Sequence, residues 1–551
     1  MRSLYKTVLF ALLLMLSFSC RKLDRFPLDS PSTETFYQTK AEMDLAINGL
    51  YAIGLYSFDN EAWSDNFWDR TAVGNDIIHG NSTTQSSEYS TLWSTCYKAI
   101  ERANLIIDNI SQVQGVDQAY QNQAVAQARF VRGWSYCMLT THFGAVPLVE
   151  HSLTIAQSKT VARTAQADIV TFAFADLDYA AATLPASYTG QQYFTKGAAL
   201  GVKARSALYL GQYQLAADLA QQVMNLNIYS LYPKYSDIFL KAGEHSSEVI
   251  ISFPRSATYA SDYSIQYYMS RNAGGYASSL PTYEMLDAYE CTDGKTIDQS
   301  PLYDPKQPFN NRDPRLKMSI VTPGTDWMGY DYEYYPDSTT CFDYITHKRV
   351  TNNDCKTASI YASYDGLLWK KSLDSSLLVN YNKVDLDEIV MRYSEILLTY
   401  AEAKIELGSI DQSVLNAINQ VRARAYGVNF AQTSAYPAIT TTSQTDLRTI
   451  IRRERRVEFA DEGLRYMDIL RWKLAEKVLN VPVLGLPKAK TDYYFPGTPV
   501  IGSDTYIDQR AFVSKLTTLD QRSFNPNKNY IWPVPYSELV QDPSLGQNPG
   551  W

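Results

Sequence analysis

The sequence predicts a mainly α-helical protein, a TPR-like scaffold of paired helices that carries an irregular, loop-rich ligand-binding face. Three observations support this. Apolar residues recur at helical spacing through two long regions, about 91–226 and 388–479. The chain also echoes itself: ARSALYLGQYQLAADLAQQV (Ala204–Val223) aligns with AEAKIELGSIDQSVLNAINQ (Ala401–Gln420). In both copies an alanine (Ala204, Ala401) lies seven residues before a glycine (Gly211, Gly408) and another (Ala220, Ala417) nine after it. Small residues at those offsets let two helices approach, with glycine in the turn, which is the logic of tetratricopeptide repeats. Between about 250 and 385, finally, helical periodicity fades and Tyr, Asp, Gly, Pro and Thr rise.

The elements follow in order. Arg2 and Lys6 precede an apolar run, Val8–Ser19, that stops at Cys20. The run is too short to span a bilayer and reads as a signal peptide over residues 1–19. Ser19 is small, and Leu16 sits one place further from the cysteine than in the usual lipobox, where Ser17 stands instead. Cleavage there leaves Cys20 as the lipidation site, so the mature chain is anchored to a membrane and does not cross it. An irregular lead-in, Arg21–Lys40, is followed by helices over Ala41–Gly54, Thr91–Val113, Gln118–Phe143, Ala165–Leu184, Thr195–Gly211 and Gln214–Leu226. Ile389–Ala403 reads as the return to helix after the irregular middle.

Besides Cys20 there are five cysteines. None forms a CxxC, so no zinc or thioredoxin-type site is expected. Cys341 and Cys355 bracket a loop and are candidates for a disulfide, whereas Cys96 and Cys137 lie in helical patterns as buried thiols. A net charge of −8 and a pI near 5.4 argue against nucleic acid as a partner. Tyrosine is abundant, 42 against 20 Phe and 9 Trp, and its flat ring with a hydrogen-bonding tip suits a wet, polar-ligand surface.

The densest chemistry lies in TDLRTIIRRERRVEFADEGLRYMDILRW, Thr445–Trp472. Leu447, Ile450 and Ile451 begin an apolar stripe, with Ser443 or Thr445 as N-cap, and the stripe runs on to Glu454 and Glu458. Carboxylates on a buried face need partners, because an isolated charge is costly to desolvate. Glu454, Arg455, Glu458, Arg465, Asp468 and Arg471 are therefore expected to form a structural ion-pair core across two short helices broken at Gly463. RRERR is not a nucleic-acid patch, since acids interleave with it. Glu454 and Glu458 are poor candidates for a glycosidase pair, because surrounding arginines lower carboxylate pKa values whereas a general acid needs one raised. The five histidines are scattered, and the chain lacks GxSxG, P-loop and Rossmann patterns, so no catalytic residue, cofactor or metal ligand is assigned.

The same stretch carries a resemblance. ERR-x-E-F-x-x-EG-x-R-x-x-D-x-x-RW, Glu454 to Trp472, is similar to a signature of the SusD/RagB family, surface glycan-binding lipoproteins of Bacteroidetes. Further blocks resemble that family: ARFVRGWSY with HFGAVPLV, Pro281–Trp327 with DG at Asp293–Gly294 and RDPR at Arg312–Arg315, Ile389–Ala403, and the ending IWPVPYSELVQDPSLGQNPGW. The resemblance implies one SusD-like unit over 20–551, with an N-terminal part of about 20–230 and a C-terminal part of about 250–551. It also implies an outer-membrane, surface-exposed nutrient-binding lipoprotein. Such a protein captures oligosaccharides or polysaccharides and delivers them to a SusC-like TonB-dependent β-barrel transporter.

Sugars present apolar C–H faces edged by hydroxyls, so their sites need aromatic platforms beside polar side chains. Two loop regions have that mixture, Trp63–Asp76 and Trp327–Tyr335. From them Trp68, Trp327, Tyr330 and Tyr332 are expected as platforms, with Asp65, Asn66, Arg70 and Asp76 as polar contacts. Two other readings fit the residues: a surface lipoprotein scaffold for protein or peptide, and a surface glycoside hydrolase.

Overall fold

The computed structural model describes residues 36–51, 61–71, 76–190, 193–256, 258, 264–488 and 497–551. The expected signal peptide and lipidation site, residues 1–19 and Cys20, lie outside the described residues. Ten helices build the scaffold: α1 (Lys40–Tyr51), α2 (Ser87–Asn109), α3 (Gln118–Phe143), α4 (Gln166–Thr183), α5 (Lys196–Tyr209), α6 (Tyr213–Met224), α7 (Tyr393–Glu406), α8 (Gln412–Ala425), α9 (Gln444–Glu458) and α10 (Arg465–Arg471). Each of α2 to α6 packs on its predecessor, and α7 then packs on α6 and receives α8 and α9. The stack of helix pairs is thus continuous in space although nearly 170 residues of other structure separate α6 from α7.

Local chemistry sets the helix ends. The Asp117 carboxylate accepts from the Tyr120 N–H at the start of α3, and the Ser443 side chain accepts from the Asp446 N–H at the start of α9. The two echoed segments end alike. Gly211 and Gly408 both adopt left-handed backbone, φ +71° and +69°. The next residue donates back across the turn in each, Gln212 to the Ala207 carbonyl and Ser409 to the Lys404 carbonyl. This is a Schellman ending, which glycine enters without a Cβ clash. Ala204, Ala220, Ala401 and Ala417 are all buried, as close helix packing requires.

The remainder is loops and short helices, Tyr283–Ala288 and Arg315–Ser319 among them, pinned by small antiparallel sheets. β1 (Phe67–Asp69) pairs with β3 (Ser279–Pro281), and β2 (Val249–Phe253) with β8 (Glu388–Arg392). β4 (Asp326–Trp327), β5 (Tyr330–Asp331), β6 (Thr340–Asp343) and β7 (Lys348–Thr351) form a four-stranded sheet in that order. β9 (Pro482–Pro487) pairs with β10 (Leu516–Gln521).

Two expectations are corrected. Residues 389–392 belong to strand β8, and helix begins only at Tyr393. A short run containing Ile389 and Val390 suits either state, and pairing with β2 decides it. Cys341 and Cys355 are not a disulfide. Both are free and buried; the Asn272 side chain donates to Cys341 Sγ, and Cys355 Sγ donates to the Pro336 carbonyl. Cys96 and Cys137 are buried thiols. Among the described residues no helix is long and apolar enough to cross a membrane.

Candidate functional site

The floor of the loop region is an ion-pair network centred on α9 and α10. Arg315 donates to Glu454 at 2.7 Å and to Glu458 at 2.9 Å, and is itself held by Asp313. Glu458 also accepts from Arg392 at 2.6 Å and from Arg424. Arg422 bridges Glu454 and Glu290, at 2.7 and 2.6 Å. On α10, Asp468 accepts from Arg455 and Arg471, and Arg471 reaches on to Glu402 of α7. Burial alone would raise the Glu458 carboxyl, but Arg424, Arg392 and Arg315 reverse it and hold it well below the usual carboxylate range. Glu290 behaves likewise: burial raises it, and Arg422 and Arg453 bring it to about 2. These carboxylates are ionised and fully engaged, so they hold the architecture and have no proton to give.

Asp65 and Asn66 are part of this floor, which corrects their expected role as ligand contacts. Arg465 donates to both Asp65 oxygens, at 2.8 and 2.9 Å, and Arg456 reaches Asp65 at 3.0 Å. Asn66 accepts from Arg456 and donates to Glu61. Both are buried. Three expected platforms are also interior. Trp68 is 7% exposed, Trp327 8% and Tyr332 1%. The cause is that both faces of β1 are covered: Phe67 packs toward Trp369 and Tyr268, while Trp68 joins Leu280, Trp327, Tyr332 and Leu368. The Tyr332 hydroxyl donates to the Gly366 carbonyl. Asp76 is half-buried and accepts from the Ser86 hydroxyl. Tyr330, on β5, stays half-exposed, and Arg70 reaches the surface.

Arg70 leads to the aromatic surface that the structure presents. Its guanidinium donates to the Tyr361 carbonyl at 2.9 Å and to the Tyr276 carbonyl at 2.8 Å, tying two distant loops together. The rings of Tyr361, Tyr267 and Tyr276 stand out into solvent, 57%, 48% and 42% exposed. Tyr267 and Tyr276 meet edge to face at 5.5 Å. The Arg271 guanidinium lies 5.4 Å from the Tyr361 ring centre, and Lys356 lies 4.7 Å from that of Tyr364.

The turn beneath is rigidly made. Asp354 is buried and accepts from the backbone N–H groups of Arg271 and Asn272, at 2.7 and 3.3 Å. Burial nonetheless pushes its carboxyl up to about 6. The Asn272 side chain reaches Cys341 on β6 and Asn352 just after β7, so the tyrosine loop is braced on the four-stranded sheet. Chemically, the surface offers flat apolar rings and fixed cationic donors at a rim open to a large ligand. Tyr267, Tyr276, Tyr361 and Arg271 escape sequence reasoning, although the spacing of tyrosines around the glycine pair in YYMSRNAGGY is a legible signal of a turn that lifts rings outward. Among the described residues no group of His, Cys, Asp and Glu is arranged to hold a metal ion.

Comparison with known proteins gives one consistent picture. Residues 247–551 match the family described as SusD family, and residues 28–210 match one described as starch-binding associating with outer membrane. SusD-like protein P2 of Formosa agariphila is 26% identical over 99% of both chains. The crystal structure of a SusD-like carbohydrate-binding protein from Bacteroides fragilis superposes with a TM-score of 0.78 at 28% identity, covering 93% of this chain and all of that one. A laminarin-binding SusD-like protein shares the fold, with a TM-score of 0.64 at 19% identity, over 94% of this chain and all of that one.

Proposed function

The chain belongs to the SusD family, and from that premise we propose that it is a glycan-binding protein whose exposed tyrosine surface captures oligosaccharides or polysaccharides at the outer membrane. The family is one of binding proteins associated with the outer membrane, and they are not enzymes. The observation that carries the reading for this chain is the trio of exposed rings, Tyr267, Tyr276 and Tyr361, pinned to one surface by Arg70 and Arg271. Aromatic rings bury the apolar face of a pyranose while neighbouring donors meet its hydroxyls. Tyr330 and Asp76, both partly exposed, are further contacts for a ligand longer than the trio. Acylation at Cys20 anchors the protein, and a SusC-like TonB-dependent β-barrel receives the ligand.

The test is affinity electrophoresis of the full-length chain in gels containing single polysaccharides, with calorimetry on any that retard it. Tyr361→Ala and Tyr276→Ala are each expected to weaken binding at least about tenfold, or ~1.4 kcal/mol, with unchanged melting temperature. Retardation that survives both substitutions would move the site elsewhere. A chain that binds no polysaccharide, alone or with a co-purified β-barrel, would overturn the reading. Replacing Cys20 by Ser should release the protein from the membrane fraction into the soluble one.

A further inference from the structure

The tyrosine surface is cationic, on a chain whose net charge is −8. Arg70 and Arg271 both reach the segment around Gly275 and Tyr276: Arg70 donates to the Tyr276 carbonyl, Arg271 to that of Gly275. Both also meet Tyr361, one at its carbonyl and the other at its ring. Lys356 stands at the same edge, exposed over Tyr364. Among the described residues no carboxylate forms a salt bridge or side-chain hydrogen bond with any of the three. Asp69 lies near Arg70, but its Oδ1 accepts from the Thr71 backbone and hydroxyl. Asp354 lies beneath Arg271, and its oxygens accept from backbone N–H groups. Around Glu458, by contrast, each guanidinium meets a carboxylate directly. Here the two guanidiniums meet no carboxylate directly among the described residues; burial and the neighbouring Arg271 charge lower the Arg70 pKa against the opposing pull of Asp69, and Arg271 is felt by Asp354 beneath it. A guanidinium has five N–H donors, and Arg70 spends two on carbonyls. Like charges held together beside flat rings are stabilised when an oxyanion arrives, and the planar fork of arginine suits carboxylate and sulfate oxygens alike.

We infer that this surface is selective for acidic glycans, with Arg271, Arg70 and Lys356 receiving a carboxylate or sulfate ester while the tyrosines carry the sugar ring. The inference rests on the proposed glycan-binding site and names the class of sugar it takes. The test uses the full-length chain and four probes: alginate for carboxylate, dextran sulfate for sulfate, and pullulan and dextran as neutral references. Binding to at least one acidic probe at least tenfold tighter than to either neutral one is expected, weakening steeply between 50 and 500 mM NaCl; which probe binds identifies the anion.

Arg271→Met is expected to lose tenfold or more against the acidic probe. Arg271→Lys should recover part of it, and Lys356→Gln should cost severalfold. Arg70 is left intact because it also ties two loops, and the melting temperature of each variant controls for folding. Equal binding of neutral probes, unaffected by Arg271→Met, overturns the charge selectivity and leaves the glycan site standing. Acidic-probe binding that survives both Tyr361→Ala and Arg271→Met is diffuse electrostatics and overturns the inference. No binding to any polysaccharide removes the glycan site and the inference with it.

Discussion

Glu458 accepts from three guanidiniums supplied by three separate stretches of chain, at Arg315, Arg392 and Arg424. Removing one partner of a buried pair leaves a charge uncompensated, so Glu458→Gln should cost about 3–5 kcal/mol in urea unfolding. Arg452, which stacks on the Trp472 ring outside this network, should cost far less when changed to Ala. The carboxylate positions were legible, because a helical stripe running into Glu454 and Glu458 places them inside. The partners were not, since Arg315 joins Glu458 across 143 positions of sequence. Asp365 shows the opposite electrostatics. Burial raises its carboxyl to about 7, and its Oδ2 has no hydrogen-bond partner. The folded state therefore holds this proton more tightly than the unfolded chain, whose carboxyl titrates near 3.8. Between about pH 4 and 7 the unfolded state binds fewer protons, so this group's contribution to stability falls as pH rises. Asp365→Asn should raise the melting temperature at pH 8 and leave it unchanged near pH 4.

At the scale of elements, the long helices were legible because amphipathic periodicity over many residues admits one reading. Gln118–Phe143 spans the residues that the pattern marks. Short apolar runs do not have that property, which is why residues 389–392 suit helix by pattern and are strand by pairing. The echoed turns give a direct test. Gly408→Ala forces a Cβ into left-handed backbone at φ +69°, where it would meet only Gln444 Nε2 at an ordinary 3.8 Å, so the cost should be the backbone strain alone, about 1 kcal/mol by thermal unfolding. The loop cysteines give another. Titration of the guanidinium-unfolded protein without reductant should find Cys96, Cys137, Cys291, Cys341 and Cys355 all reactive, and dithiothreitol should not shift the melting curve.

At the scale of the molecule, the helical scaffold and its loop face are legible in the sequence, but Trp68, Trp327 and Tyr332 lie inside that face and not on it. Composition marks Trp68, Trp327 and Asp65 as suited to sugar; it cannot say which side of a strand is covered. The pairing of β1 with β3 under a second layer buries both faces and leaves the outward positions to Tyr267, Tyr276 and Tyr361. The two family-matched segments are also welded together. Asp65 lies in the first and is clasped by Arg456 and Arg465 of the second, while Arg205 of α5 donates to Glu395 of α7 inside the core. Residues 36–246 expressed alone should therefore be protease-sensitive and show no cooperative melt.

That clasp has a consequence for the order in which the chain comes into being. A polypeptide is made and exported N-terminus first, so Asp65 emerges some 400 residues ahead of Arg465. Asp65 must wait for its partners until nearly the whole molecule has followed, whereas Asp176 finds Arg132 within the early helices. The clasp can therefore close only late, and a product truncated before Arg456 leaves Asp65 without either of its partners.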